Sequence, residues 1–241
     1  MKKWTRLMML AMLPAVMLVS CDEDDDDVIV QEEARIMVVH ASPDAPGVDL
    51  LIDDEKVNTS ALTYPDNTGY LTVDAGSRNI KVNLAGSNTT VIQGNLNAVR
   101  DQSYSVFAYG TAAEDDDTDL SALVITDDLT APASGNAKVR FIHLSPDAPT
   151  VDIVNVTDEA SEAVLFDAQR YGVPSAFQPV LAGSYDLEVR LEDGTVVPLD
   201  GLEGIQLQNG SIYTIIATGF VTTPEGNTNA LSVEIIEHET E

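Results

Sequence analysis

The chain has one cysteine, Cys21, and one tryptophan, Trp4, in 241 residues. A lone cysteine excludes a disulfide within the chain. Basic residues are scarce as well: 12 Lys+Arg stand against 40 Asp+Glu. Three of those cations, Lys2, Lys3 and Arg6, lie in the first 20 residues, so residues 21–241 carry 9 − 40 = −31. Such a chain is repelled by nucleic acid and by anionic lipid surfaces, and no basic patch offsets the repulsion. Aromatics make up only 5%, so the cores must be built from Val, Ile, Leu and a few Phe and Tyr. No segment longer than about ten residues carries a helical period.

The start of the chain is of a different kind. After Lys2, Lys3 and Arg6 comes the apolar run "LMMLAMLPAVMLV", too short and too interrupted for a membrane span of ~20 residues and suited to a secretory signal. "LVSC" at 18–21 resembles the bacterial lipobox, in which the cysteine is lipidated and becomes the mature N-terminus. Residues 1–20 are therefore expected to be a lipoprotein signal peptide and Cys21 the lipidation site. The expected location is the bacterial cell envelope, anchored in a membrane through the lipid. "DEDDDD" at 22–27 should be an extended tether, because like charges repel, and 21–33 forms the lipidated cysteine and tether. In one group of Gram-negative bacteria such acids resemble a surface-export signal, and in enteric bacteria an aspartate there favours inner-membrane retention. Six acids in a row look more like the first, an outer-membrane, surface-exposed protein.

The rest says the same thing twice. "HASPDAP" at 40–46 returns as "HLSPDAP" at 143–149, six letters of seven. Around it "ARIMVVHASPDAPGVDLLID" (34–53) matches "AKVRFIHLSPDAPTVDIVN" (137–155). Further on, Tyr64, Tyr70 and Gly76 match Tyr171, Phe177 and Gly183, Tyr104 and Gly110 match Tyr213 and Gly219, and "LVITD" (123–127) falls opposite "LSVEI" (231–235). Two copies of about 100 residues have the size of β-sandwich domains rather than of solenoid repeats. Each copy is a series of short runs rich in Val, Ile, Thr and Tyr, bounded by Gly, Pro, Asn or Asp. The expected fold is all-β: two tandem immunoglobulin-like β-sandwich domains, at 34–128 and 137–241, joined by a linker at 129–136.

The repeated phrase reads as a strand, a rigid corner and a second strand. Period 2 puts Ile36, Val38 and His40 on one face, and Val139, Phe141 and His143 on the equivalent face. Pro43 and Pro146 fix φ and seed a turn, while Asp44 and Asp147 can accept neighbouring backbone N–H groups and close it. Pro46 and Pro149 push the preceding alanines extended. His40, Ser42 and Asp44, like His143, Ser145 and Asp147, hold the residue types of a hydrolytic triad, but two copies, each locked by prolines, make a poor mobile site. The structural reading expects each histidine to be buried and hydrogen-bonded within its own corner, and each aspartate to bond its own loop.

Two other features carry chemistry. Asp115, Asp117 and Asp119 alternate as in a calcium loop, yet the sixth position from Asp115 is Leu120 rather than Gly and the twelfth is Thr126 rather than Glu. Weak Ca²⁺ binding is the most this loop offers, and no other metal or cofactor is implied. Tyr64, Tyr70, Tyr109 and Tyr171 are candidates to stack on a ligand such as a sugar.

The pattern HxSPDAPxVD, followed by a glycine-centred "AGS" and present twice, resembles the family of domain of unknown function DUF4397 over nearly all of 34–237. That family occurs in secreted and lipid-anchored bacterial proteins and has no established activity, so the resemblance implies location and fold and no catalytic residue. The expected function is a non-enzymatic, lipid-anchored envelope protein with a binding, adhesion or scaffolding role. Its partners would be the membrane and an envelope protein or polysaccharide. A glycan-binding accessory module and an envelope hydrolase are the alternatives.

Overall fold

A computed structural model describes residues 32–112, 118–158 and 160–240. The signal, Cys21, the tether, Asp115 and Asp117 lie outside the described residues. The first copy forms β1 (Glu33–His40), β2 (Val48–Ile52), β3 (Glu55–Lys56), β4 (Asn67–Asp74), β5 (Gly76–Leu84), β6 (Thr90–Ala98), β7 (Ser103–Tyr109) and β8 (Ser121–Asp127). The second forms β9 (Asn136–His143), β10 (Val151–Asn155), β11 (Ala163–Gln169), β12 (Gln178–Leu181), β13 (Gly183–Tyr185), β14 (Leu187–Leu191), β15 (Val196–Val197), β16 (Ile205–Leu207), β17 (Ile212–Thr218) and β18 (Ser232–His238). The described residues are all-β, as the pattern of short β-branched runs implied.

Each copy is a sandwich of two sheets. In the first they are β4-β1-β7-β8 and β3-β2-β5-β6, and in the second β12-β9-β17-β18 and β11-β10-β14-β15, with β13-β16 as a small added pair. The connectivity differs from the immunoglobulin expectation. An immunoglobulin sandwich keeps its first two strands in one sheet, whereas here β1 and β2, and likewise β9 and β10, lie in opposite sheets. The reason is the SPDAP corner, whose prolines carry the chain across the end of the sandwich. β1 then pairs in parallel with β7, and β9 with β17.

Alternation fills the two cores. Ile36, Val38, Leu50, Val82 and Val106 meet inside the first sandwich, and Val139, Phe141, Ile153, Val189 and Ile215 inside the second. Tyr104 closes one core by accepting a hydrogen bond from the Val99 N–H at 3.0 Å. Tyr213 does the same with the Gln208 N–H at 3.1 Å. The other faces of β1, β7, β9 and β17 are buried too. Met37, Val39, Phe107, Ile142, Leu144 and Ile216 form a third core where the two sandwiches pack together. Double-sided burial explains why "VFAY" and "IIA" lack the alternation of a one-sided strand. The residues from Glu32 onward gather into one compact unit.

Two details of the repeat change. The strand registers set Ile125 opposite Ser105 and Ile236 opposite Thr214, so the last strands correspond at an offset of 111, not the 108 of "LVITD" over "LSVEI". Asp127 then corresponds to His238. The stretch 129–136 is also held rather than loose: Leu129 is buried, and Lys138 Nζ pairs with Asp128 at 2.9 Å and donates to the Thr130 carbonyl at 2.8 Å.

Gly110 and Gly219 end the equivalent strands β7 and β17 with φ of 99° and 85°. A Cβ on Gly110 would lie inside contact distance of the Thr118 and Asp119 carbonyl oxygens, and one on Gly219 inside that of the Ala230 carbonyl oxygen. Glycine is required at both, for conformation and for space.

Candidate functional site

The two corners are built alike. His40 and His143 are each 1% exposed. His40 Nε2 donates to the Pro46 carbonyl at 3.1 Å, and His143 Nε2 to the Pro149 carbonyl at 3.0 Å. A carbonyl oxygen only accepts, so it fixes the Nε2–H tautomer. The Tyr64 ring meets His40 edge-on at 6.4 Å and the Tyr171 ring meets His143 at 6.1 Å. Burial holds both imidazoles below the usual histidine range, with the proline carbonyls opposing.

The aspartates differ from expectation. Asp44 Oδ1 accepts the Ala112 N–H at 2.8 Å, besides the Ser42 hydroxyl at 3.3 Å. Asp147 accepts the Val221 and Thr222 N–H groups, both at 2.8 Å. Their backbone partners lie beyond the ends of β7 and β17, not in the aspartates' own loops. The parallel pairing brings those ends beside the corner, so each carboxylate ties two loops at one end of its sandwich. The second half also grips the first corner: the Asn227 and Asn229 side chains donate to the Pro43 carbonyl at 3.0 and 2.6 Å.

A charged cluster that the sequence reading did not identify lies between the sandwiches. Arg140 Nη1 pairs with Asp127 Oδ1 at 2.7 Å, the two side chains 1% and 0% exposed. Arg140 Nε donates to Thr214 Oγ1 at 2.7 Å, and Nη2 to Ser105 Oγ at 3.1 Å. The Ser105 and Tyr70 hydroxyls donate to Asp127 Oδ2 at 2.7 and 2.6 Å. Tyr70 Oη has then used its hydrogen, so His238 Nδ1, at 2.9 Å, donates to it. His238 Nε2 in turn accepts from the Thr214 hydroxyl at 2.6 Å. The bonds close a ring, Arg140 to Thr214 to His238 to Tyr70 to Asp127, whose directions require a neutral histidine. Burial, with Arg140 adding to it and Asp127 opposing, lowers the His238 pKa to about 4. Burial and the Asp127 charge push the Tyr70 phenol up. His, Asp and Tyr thus converge where no substrate can reach them. The signal for this cluster was present: Arg140 stands in an apolar strand at the position that Met37 holds in the first copy.

A large open concavity lies elsewhere. A cleft of about 740 Å³ is lined by Tyr64 and Pro65 of the first half and by Pro198, Leu199, Asp200, Asn229, Leu231, Ser232 and Glu234 of the second. Its volume is that of a small-molecule site. Its lining combines the Tyr64 and proline rings with amide, hydroxyl and carboxylate side chains. Burial, then the neighbouring Asp66 charge, raises the Glu234 pKa. Of the four tyrosines singled out for stacking, Tyr64 lines this cleft. Tyr70 and Tyr109 pack into the core between the halves, and Tyr171 faces Tyr109 at 5.5 Å. Asp119 is exposed and bridges Thr111 through its backbone. Among the described residues no three His, Cys, Asp or Glu side chains gather as a metal group.

Comparisons with known proteins are distant in structure and specific in sequence. No curated protein matches the chain. Among solved structures, the Bacillus anthracis TIE protein is similar at 8% identity and a TM-score of 0.23, over 86% of this chain and 43% of that one. The chain thus spans less than half the length of that protein. A Bacteroides ovatus protein named as a candidate adhesin is similar at 11% identity and a TM-score of 0.19, over 90% of this chain and 96% of that one. The family described as "Domain of unknown function (DUF4397)" matches residues 34–154, from β1 through both SPDAP corners into β10. That stretch is just over half of the 241 residues, and the chain belongs to the DUF4397 family.

Proposed function

We propose that the chain is a non-enzymatic envelope protein, lipid-anchored through Cys21 and displayed at the outer membrane surface, with a binding, adhesion or scaffolding role. Each half, with its own SPDAP corner and the same order of main strands, is read as one DUF4397 unit. The observation that carries the binding role is the cleft between the halves, open to solvent and formed by both. A non-enzymatic reading is supported by the position of the histidines: His40, His143 and His238 are buried and their bonds are spent on structure. The excess of acidic residues supports a partner other than nucleic acid.

Tyr64 favours a glycan as ligand, because an aromatic ring beside prolines, amides and carboxylates can hold a sugar by stacking and hydrogen bonding at once. The test is titration of residues 28–241 with a panel of envelope polysaccharides. Saturable binding that weakens at least tenfold in Tyr64→Ala is expected; binding indifferent to Tyr64 would place the ligand elsewhere. The anchor is tested separately. Cys21→Ala should release the protein from membranes, and detergent-phase partitioning that survives the change would overturn the assignment.

A further inference from the structure

Behind the cleft lies a second hollow of a different character. It is about 110 Å³, part-open, and lined by His143, Pro149, Val151, Val189, Leu199 and Leu231 among others. Its wall is apolar throughout. His143 adds no free polar group, since Nε2 is bonded to the Pro149 carbonyl and Nδ1 accepts the Ser145 N–H at 3.3 Å. A cavity of this kind does not hold water well, because a water molecule needs two or more polar partners. Leu199 and Leu231, both half-buried, line this cavity and the cleft alike. The two spaces therefore share a wall of two leucine side chains.

We infer that the ligand of the cleft is amphiphilic, placing a neutral or cationic polar part beside Tyr64 and a compact apolar group between Leu199 and Leu231 into the cavity beside His143. The inference rests on the cleft reading above and adds the chemistry of the occupant. Asp200 and Glu234 in the cleft, with Asp66 nearby, disfavour an anionic headgroup. Fatty acids and anionic phospholipids are thereby disfavoured as occupants. Size limits the apolar part: an apolar cavity of ~150 Å³ accommodates benzene, so this smaller, part-open one takes at most a single ring with one edge left in the opening beside the exposed Val221. A long acyl chain does not fit.

The probe is toluene, added to the mature full-length protein with methyl resonances as the readout. Saturable shifts are expected at Val151, Val189 and Leu199. They should weaken at least tenfold in Ala148→Leu, which fills the cavity from a half-buried position, and in Val221→Asn, which places a polar side chain at its rim. Val221 is 52% exposed, so the second variant keeps its fold if the first does not. Phenyl β-glucoside should then bind at least tenfold more tightly than methyl β-glucoside. Toluene that leaves these methyls unmoved, or that shifts them equally in both variants, overturns the inference. Toluene bound with no response to any polysaccharide sinks the cleft reading and leaves the cavity. A polysaccharide bound with no response to toluene does the reverse.

Discussion

The two halves share a skeleton and differ on one face. Corner histidines, closing tyrosines and strand-end glycines correspond one to one, because each sandwich must close its own ends. The faces that meet do not correspond. Met37 of the first half answers to Arg140 of the second, Ser105 to Thr214, Asp127 to His238 and Tyr70 to Phe177. Phe177 then lies 4.5 Å from the Arg140 guanidinium, which packs over its ring, and edge-on to His238 at 5.9 Å. Interiors tolerate sameness, whereas an interface between duplicated units is specified by difference. An Arg140 facing a second Arg140, or an Asp127 facing a second Asp127, would be a buried like-charge pair, so each face fits the other and rejects its own kind.

The harshest way to break the comparison is to separate its terms. Each half has a complete strand set and its own core, so 34–128 and 137–241 expressed apart should each unfold cooperatively. Each would also expose its share of Met37, Phe107, Ile142 and Ile216. With about 1.5–3 kcal/mol lost per large apolar side chain uncovered, each should lose on the order of 5 kcal/mol and bind a hydrophobic dye. Loss of any cooperative transition would show that the halves fold only together. Next in size is Arg140→Met, which gives the second half the residue of the first. It leaves Asp127 buried without its cation and should cost about 3–5 kcal/mol in urea denaturation. Replacing both partners, Arg140→Met with Asp127→Val, should recover most of that.

Acid tests the same ring more gently. His238 stays neutral in the fold down to about pH 4, whereas an unfolded histidine takes its proton near 6.5. Between those values the unfolded chain binds more protons, so stability falls as the pH is lowered through the window, by about 3 kcal/mol for this residue alone. His40 and His143, also depressed by burial, add in the same direction. Urea midpoints measured from pH 7 to 4.5 should show the fall, and His238→Gln should flatten part of it. The smallest effect compares the corners. Asp147→Ala frees two backbone N–H groups and Asp44→Ala one. The first should cost roughly 1–2 kcal/mol and the second about half as much. Equal losses would mean that the corners are held by something other than these carboxylates.

Much of this is legible in the amino-acid order. Period-2 runs locate the strands of the first copy, and the duplicated phrase locates both corners, because these depend on residues close in sequence. The contact between the halves depends on which outer faces meet, and alternation alone does not show that Met37 and Val39 are as buried as Ile36. Arg140 is visible as an intruder among apolar residues, but its partner is not, since the shorter offset sets "LVITD" against "LSVEI" and hides the equivalence of Asp127 and His238. The immunoglobulin order fails for a related reason. The corner's role in crossing the end of the sandwich is readable from its prolines, whereas the placing of first and second strands in opposite sheets depends on strand pairings distant in sequence.

The placement of β1 has a mechanical consequence. It is an inner strand, bonded to β4 on one side and to β7 on the other. A pull on the residues preceding Glu33, directed along the strand, cannot unpeel it one bond at a time. The ladder hydrogen bonds run across the pull, perpendicular to the strand on the β4 side and slanted on the β7 side. They are loaded together in shear and must yield together. A pull from the N-terminal side is therefore borne by both ladders of β1 at once.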